Sequence, residues 1–160
     1  MSDRPEATPL GSEEFRHTSQ EESHALERTL LVIKPDGVRR KLVGRIIATI
    51  ETAGFEICAL KLMRLSRKHA QELYKPHRRK SFYLPLIKFI TSGPVVAVIL
   101  QRDDAVRGLR EIVGATDPAQ AEEGTLRREF GTDVQKNAVH AAETNKDAER
   151  EIPLLFREVP

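Results

Sequence analysis

The chain has one cysteine and no tryptophan in 160 residues. A lone thiol forms no intramolecular disulfide, and Cys58 sits in the apolar run FEICALKLMRL, where it reads as a small packing residue. The fold must therefore hold without covalent staples, as suits a reducing cytoplasm. No apolar run approaches the roughly 20 residues that span a bilayer; VVAVIL at 95–100 is only strand length. The N-terminus has no apolar segment of the secretory-signal kind. The phosphate-loop pattern GxxxxGK[ST] is absent, so a phosphate bound here must be held by side chains. His140 has no cysteine or second histidine beside it at metal-ligand spacing, and on its own it reads as a packed or surface residue.

What is present is ordinary for one globular domain: 39% apolar and 31% charged residues. The charge is unevenly placed. Residues 1–26 hold six acids and two bases, net −4, against +2 for the whole chain, which leaves +6 on the rest. A basic body suits an anionic partner: nucleotide, nucleic acid or anionic surface. The acidic segment lacks apolar periodicity and is expected to be a disordered tail ahead of a domain at 27–160.

Within that domain TLLVIK (29–34) reads as a buried strand closed by the turn residues Pro35, Asp36 and Gly37. Leu42, Val43, Ile46, Ile47 and Ile50 follow helical spacing, with Gly54 as the stop. Residues 55–65 alternate as a strand with an irregularity at Ala59–Leu60. Ser66 caps a short helix carrying Ala70, Leu73 and Tyr74, and Ser81 opens another with Phe82, Leu86, Phe89 and Ile90 on one face. GPVVAVIL is a second buried strand. Asp103 or Asp104 then caps a helix over Ala105–Val113, followed by a loop from 115 to 131, a short strand near TDVQ, and a helix opened by Thr144 and Asp147 that Pro153 stops near Glu151. The order β-α-β-α-α-β-α-loop-β-α fits an α+β, ferredoxin-like split βαβ plan, a four-stranded antiparallel sheet covered by helices.

Four segments, ERTLLVIKPDGVRRKLVGRII, SGPVVAVIL, GATDPAQAEEGTLRREFGTD and KNAVH, resemble in that order the nucleoside diphosphate kinases, from Glu27 to Phe156. The resemblance implies γ-phosphate exchange between nucleoside triphosphates and diphosphates, by a ping-pong route through a phosphohistidine on His140. It matches Lys34, Arg110, Arg127 and Thr116 to phosphate contacts, Phe82 to base stacking and Asn137 to the ribose. Leu86 shares a helix face with Phe82, Tyr74 matches an active-site tyrosine, and Glu151 matches the carboxylate that orients the histidine. Without it, Lys34 reads as a strand-end lysine, Arg110 as solvent-facing, and Phe82 with Leu86 equally as core packing. Mg²⁺ is expected to arrive on the nucleotide. The family also implies a homo-oligomer, and the absence of a spanning run argues against a membrane role.

The chain departs from the family where Ala141, Ala142 and Glu143 stand for the usual Gly-Ser-Asp. The missing serine hydroxyl supports the glutamate elsewhere, so the competing expectation is a nucleotide-binding module with weakened catalysis. Asp117 and Gln135 replace an asparagine and a glycine. The basic run KPHRRK (75–80) raises nucleic-acid binding as a third reading, but no RNA-binding signature accompanies it, and such a run is commonly a solvated face. The aperiodic, acidic character of residues 1–26 predicts that deleting them leaves melting temperature and nucleotide exchange nearly unchanged; a large loss of either would mean that the segment packs or assembles.

Overall fold

Strand β1 (Glu27–Ile33) lies inside a four-stranded antiparallel sheet of order β2-β3-β1-β4, with β2 (Glu56–Met63), β3 (Val95–Arg102) and β4 (Val139–Ala141). This is the expected ferredoxin-like arrangement, in a computed structural model that describes residues 26–157. Residues 1–25, which carry nearly all of the expected disordered tail, lie outside the described residues.

The runs in β1 and β3 are continuous rather than alternating because helices cover both sheet faces. On one face Leu31, Ile33, Val96, Val98 and Leu100 pack with Ile46 and Ile50 of α2 (Val43–Thr52) and Leu109 of α5 (Ala105–Val113). On the other, Leu30, Val32, Val95, Ala97 and Ile99 meet α3 (Arg67–Leu73), α4 (Tyr83–Ile90) and α7 (Asn145–Leu155). Strand β2 loses register between Ile57 and Ala59, so the irregularity falls at Cys58, just before the position expected.

The caps at Ser66 and Thr144 form as read: Ser66 Oγ accepts from the His69 amide at 3.1 Å, and Thr144 Oγ1 from the Asp147 amide at 3.1 Å. Other boundaries differ. Pro35, Asp36 and Gly37 are not a bare turn but the start of α1 (Pro35–Arg39), where proline's fixed φ suits the first helical position. The helix expected from Ser81 begins at Tyr83, leaving Phe82 outside it. Asp104 stands at the cap of α5 at φ 51° without capping it; Glu27 Oε1 of β1 accepts the Val106 amide at 2.9 Å instead. The loop at 115–131 contains α6 (Leu126–Phe130), capped by Thr125.

TDVQ is not a strand, because Asp133 Oδ1 accepts the Gln135 and Lys136 amides at 2.9 and 2.7 Å and holds a turn. The strand is β4, four residues further on, with His140 at its centre. Helix α7 runs through Pro153 to Leu155: proline forfeits a single backbone bond, while Leu155 and Phe156 are buried against the sheet.

Candidate active site

A cleft of about 490 Å³ opens beside the C-terminal end of β1, a size common for small-ligand sites. All ten residues singled out above line it: Lys34, Tyr74, Phe82, Leu86, Arg110, Thr116, Arg127, Asn137, His140 and Glu151. The polar ones come from the ends of β1 and α3, from α5, α6, β4 and α7, and from the loops between them. His140 pairs across the sheet with Val32, and cross-strand partners share a face, so its ring points toward α3 and α7. Its Nε2 lies 3.1 Å from Glu151 Oε1 on α7. A carboxylate accepts, so Nε2 carries the proton and Nδ1 keeps its lone pair.

Most supports of this pair are buried, and Arg150 is half-buried. Glu151 is buried, and its second oxygen, Oε2, has no hydrogen-bond partner. Ala142, fully buried, packs with Ala148, one turn before Glu151 on α7. The Arg150 guanidinium donates to the Glu72 and Leu73 carbonyls at 2.7 and 3.3 Å, tying α7 to the end of α3. Tyr74 follows directly and sets its ring edge-on to His140, with centroids 5.3 Å apart. Its hydroxyl is buried without a partner; burial, and then the nearby Glu151 carboxylate, push its pKa above the usual phenol range.

Opposite stand the cations. Lys34 Nζ donates to Asn137 Oδ1 at 2.8 Å and to the Gln135 carbonyl at 3.2 Å. Asn137 is itself fixed by donating to the Thr116 and Val134 carbonyls at 3.0 and 3.2 Å. Arg127 donates to the Gly114 and Val139 carbonyls at 3.1 and 3.0 Å, leaving Nε buried without a partner. Burial lowers the Lys34 pKa to about 8, with Arg127 adding to the effect; burial and then Arg110 lower Arg127 to about 10. Among the described residues none of these three cations is salt-bridged to a carboxylate. A cleft built this way favours an anion, which would relieve both the repulsion and the desolvation.

The far lip is apolar and open. Phe82 is 49% exposed, Val134 is exposed beside it, and Leu86 both lines the cleft and packs in the core. Sequence reasoning missed His77 and Val134. His77 bridges Tyr74 and Phe82, with centroids 6.2 and 5.5 Å away. It was hidden in the charge run KPHRRK; its place three residues after Tyr74, on the same side of a helical turn, was the available signal. Val134 lay in the misassigned TDVQ segment. Among the described residues no group of three or more His, Cys, Asp or Glu side chains is placed to hold a metal, and no helix is long and apolar enough to cross a membrane.

A ferredoxin-like sheet that presents a histidine–carboxylate pair to a cationic cleft defines a phosphotransferase-type protein. The comparisons narrow the class. The family model described as nucleoside diphosphate kinase matches residues 27–160. A nucleoside diphosphate kinase of Thermus thermophilus is 51% identical over 132 residues, covering 82% of this chain and 96% of that one. Among solved structures, the Aquifex aeolicus nucleoside diphosphate kinase superposes with a TM-score of 0.80 at 41% identity, over 82% of this chain and 96% of its own. The Halobacterium salinarum enzyme in complex with CDP gives 0.81 at 41% identity, over 84% and 90%. The chain belongs to the nucleoside diphosphate kinase family, whose members are phosphotransferases acting on nucleotides.

The buried ammonium predicts a pH effect. Lys34 holds its proton less tightly folded, at about 8, than at its ordinary 10.5, so above pH 8 the unfolded chain binds more protons and stability rises with pH. Tyr74 acts with the opposite sign once pH passes the ordinary phenol value of 10.0. In urea titrations Lys34→Met should raise stability at pH 7 by about 1–2 kcal/mol and abolish this source of the rise between about pH 8 and 10. A rise of unchanged size in the variant would assign it to another group.

Proposed function

We propose that the chain moves the γ-phosphate of a nucleoside triphosphate to a nucleoside diphosphate through a phosphohistidine on His140. The observation that carries this is the Nε2–Glu151 bond, which leaves Nδ1 as the nucleophile of a ring lining the cationic cleft. In this reading the base lies against Phe82, with Leu86 and Val134 beside it, and the ribose reaches Lys34 and Asn137. Stacking without edge contacts explains tolerance for different bases, since every base has a π-face.

The triphosphate then faces Lys34, Arg110, Arg127 and Thr116. The Nδ1 lone pair forms a bond to the γ-phosphorus while the bond to the bridging oxygen breaks, and its electron pair leaves on the diphosphate. Glu151 stabilises the charge that develops on the imidazole, and the cations stabilise the equatorial oxygens. The Tyr74 ring packs at right angles to the imidazole. The first diphosphate departs, a second binds in the same place, and its terminal oxygen takes the phosphoryl group from Nδ1. Mg²⁺, carried in on the nucleotide, supplies charge neutralisation at the phosphates.

A cytoplasmic homo-oligomer is part of the proposal. Among the described residues, edge strand β2 has one side of its backbone unpaired and exposes Leu60 and Leu62, the latter at 66%, a combination suited to pairing with a second copy.

The direct test is labelling. ATP carrying γ-label should mark the protein in an acid-labile, base-stable form that GDP discharges, and His140→Ala should lose both label and exchange; a labelled alanine variant would sink the assignment. The unpartnered Oε2 of Glu151 generates a second test. Ala142→Ser restores the family's hydroxyl. One hydrogen bond is worth roughly 0.5–1.5 kcal/mol, so single-turnover labelling should quicken a few-fold to about tenfold. An equal or slower rate would mean that the alanine is already compensated.

A further inference from the structure

Asp36 does not line the cleft, yet it is buried and its carboxylate reaches the segment that carries His140. Its Oδ2 accepts the amide of Ala138 at 3.0 Å. The Ala138 carbonyl in turn accepts the Lys34 amide at 2.9 Å. Ala138 sits at φ 72°, and the Val139 amide donates across it to the Asn137 carbonyl at 2.9 Å. That is a γ-turn of the rarer, positive-φ hand, strained for any residue with a Cβ.

Three groups of the cleft leave from this turn. Asn137 precedes it and holds Lys34 Nζ; Val139 follows it and offers its carbonyl to Arg127; His140 comes next. Helix α1 presses directly on the turn, since a Cβ at Gly37 would lie 3.1 Å from the Ala138 carbonyl oxygen. The other oxygen of Asp36, Oδ1, has no hydrogen-bond partner, so the Ala138 amide is the hydrogen bond that anchors this carboxylate.

We infer that Asp36 is a positioning residue for phosphoryl transfer: by holding the strained turn at Ala138, its carboxylate aims His140 at the phosphate beside Lys34. This rests on the assignment of His140 as nucleophile. A rival role for Asp36, acting on Lys34 by charge alone, predicts a different pattern of variants. Asparagine keeps an acceptor for the Ala138 amide and removes the charge; glycine at 138 reaches positive φ without any latch.

The test is single-turnover labelling of the full chain by γ-labelled ATP, with melting temperature measured in parallel. Asp36→Ala should slow labelling about tenfold or more, from the loss of a charge-assisted hydrogen bond. Asp36→Asn should stay within about threefold of the parent. In Asp36→Ala with Ala138→Gly the rate should recover to within about threefold while the melting temperature stays low, because glycine restores the turn but not the buried contact. Rate and melting temperature recovering together, or neither recovering, would show a merely structural Asp36 and overturn the inference. So would an asparagine variant as slow as alanine, and that arm decides alone if Asp36→Ala does not fold. Label on His140→Ala would instead overturn the assignment beneath it.

Discussion

The structure around the cleft depends on the register of a three-residue edge strand. Leu31, Val32 and Ile33 of β1 pair with Ala141, His140 and Val139 of β4. Side chains alternate along a strand, so a slip of one residue would turn His140 out of the cleft and into the layer of Leu109 and Ile46. So short a strand cannot define its register by its own ladder. The register is held from outside: the Lys34 amide takes the Ala138 carbonyl at one end, and the Ala142 amide takes the Leu30 carbonyl at 3.2 Å at the other. The same β1 that buries its apolar residues on both faces thus delivers Lys34 and fixes His140 beside it.

Function and stability oppose each other in this cleft. Lys34 and Arg127 are buried cations held by carbonyl and amide oxygens rather than by carboxylates, and both have lowered pKa values. Such an arrangement is destabilising in isolation, and a bound phosphate chain would offset it. The two sides of the cleft are also chemically distinct. The cationic wall carries fixed donors, whereas the lip, with exposed Phe82 and Val134, offers area without hydrogen-bonding detail. A site built this way would hold phosphate oxygens by fixed donors and a base by area alone.

The Gly-Ser-Asp replacement has a physical counterpart in the structure. Glu151 is buried with one oxygen on His140 and the other without a partner, next to a packing cluster made of Val106, Ala142 and Ala148. Methyl groups fill the space where the resemblance implies a hydroxyl. The glutamate is still held in place, because Arg150 ties its helix to α3 and the Thr144 cap starts that helix cleanly. Orientation of the imidazole is thereby assigned to packing and helix anchoring, with less help from hydrogen bonds to the carboxylate.

Local patterns were legible in the chain because their causes are local. The buried runs of β1 and β3, the caps at Ser66 and Thr144 and the amphipathic α2 follow from neighbouring residues alone. The ten residues that line one cleft were named through the family resemblance, not through local pattern. Where a distant group decides, the sequence was silent. Glu27, not Asp104, caps α5; burial of Leu155 and Phe156 carries α7 through Pro153; His77 becomes part of the cleft only when Tyr74 and Phe82 flank it. The strained turn at Ala138 exists because Asp36 and Lys34, about a hundred residues earlier, hold it. The sequence by itself determined the buried strands β1 and β3 and the amphipathic helices, and by resemblance to a family it marked the side chains able to handle a phosphate. Only the tertiary structure decided which ring nitrogen is free, which cations lack counterions and what holds the histidine, because those depend on contacts made once the sheet has closed.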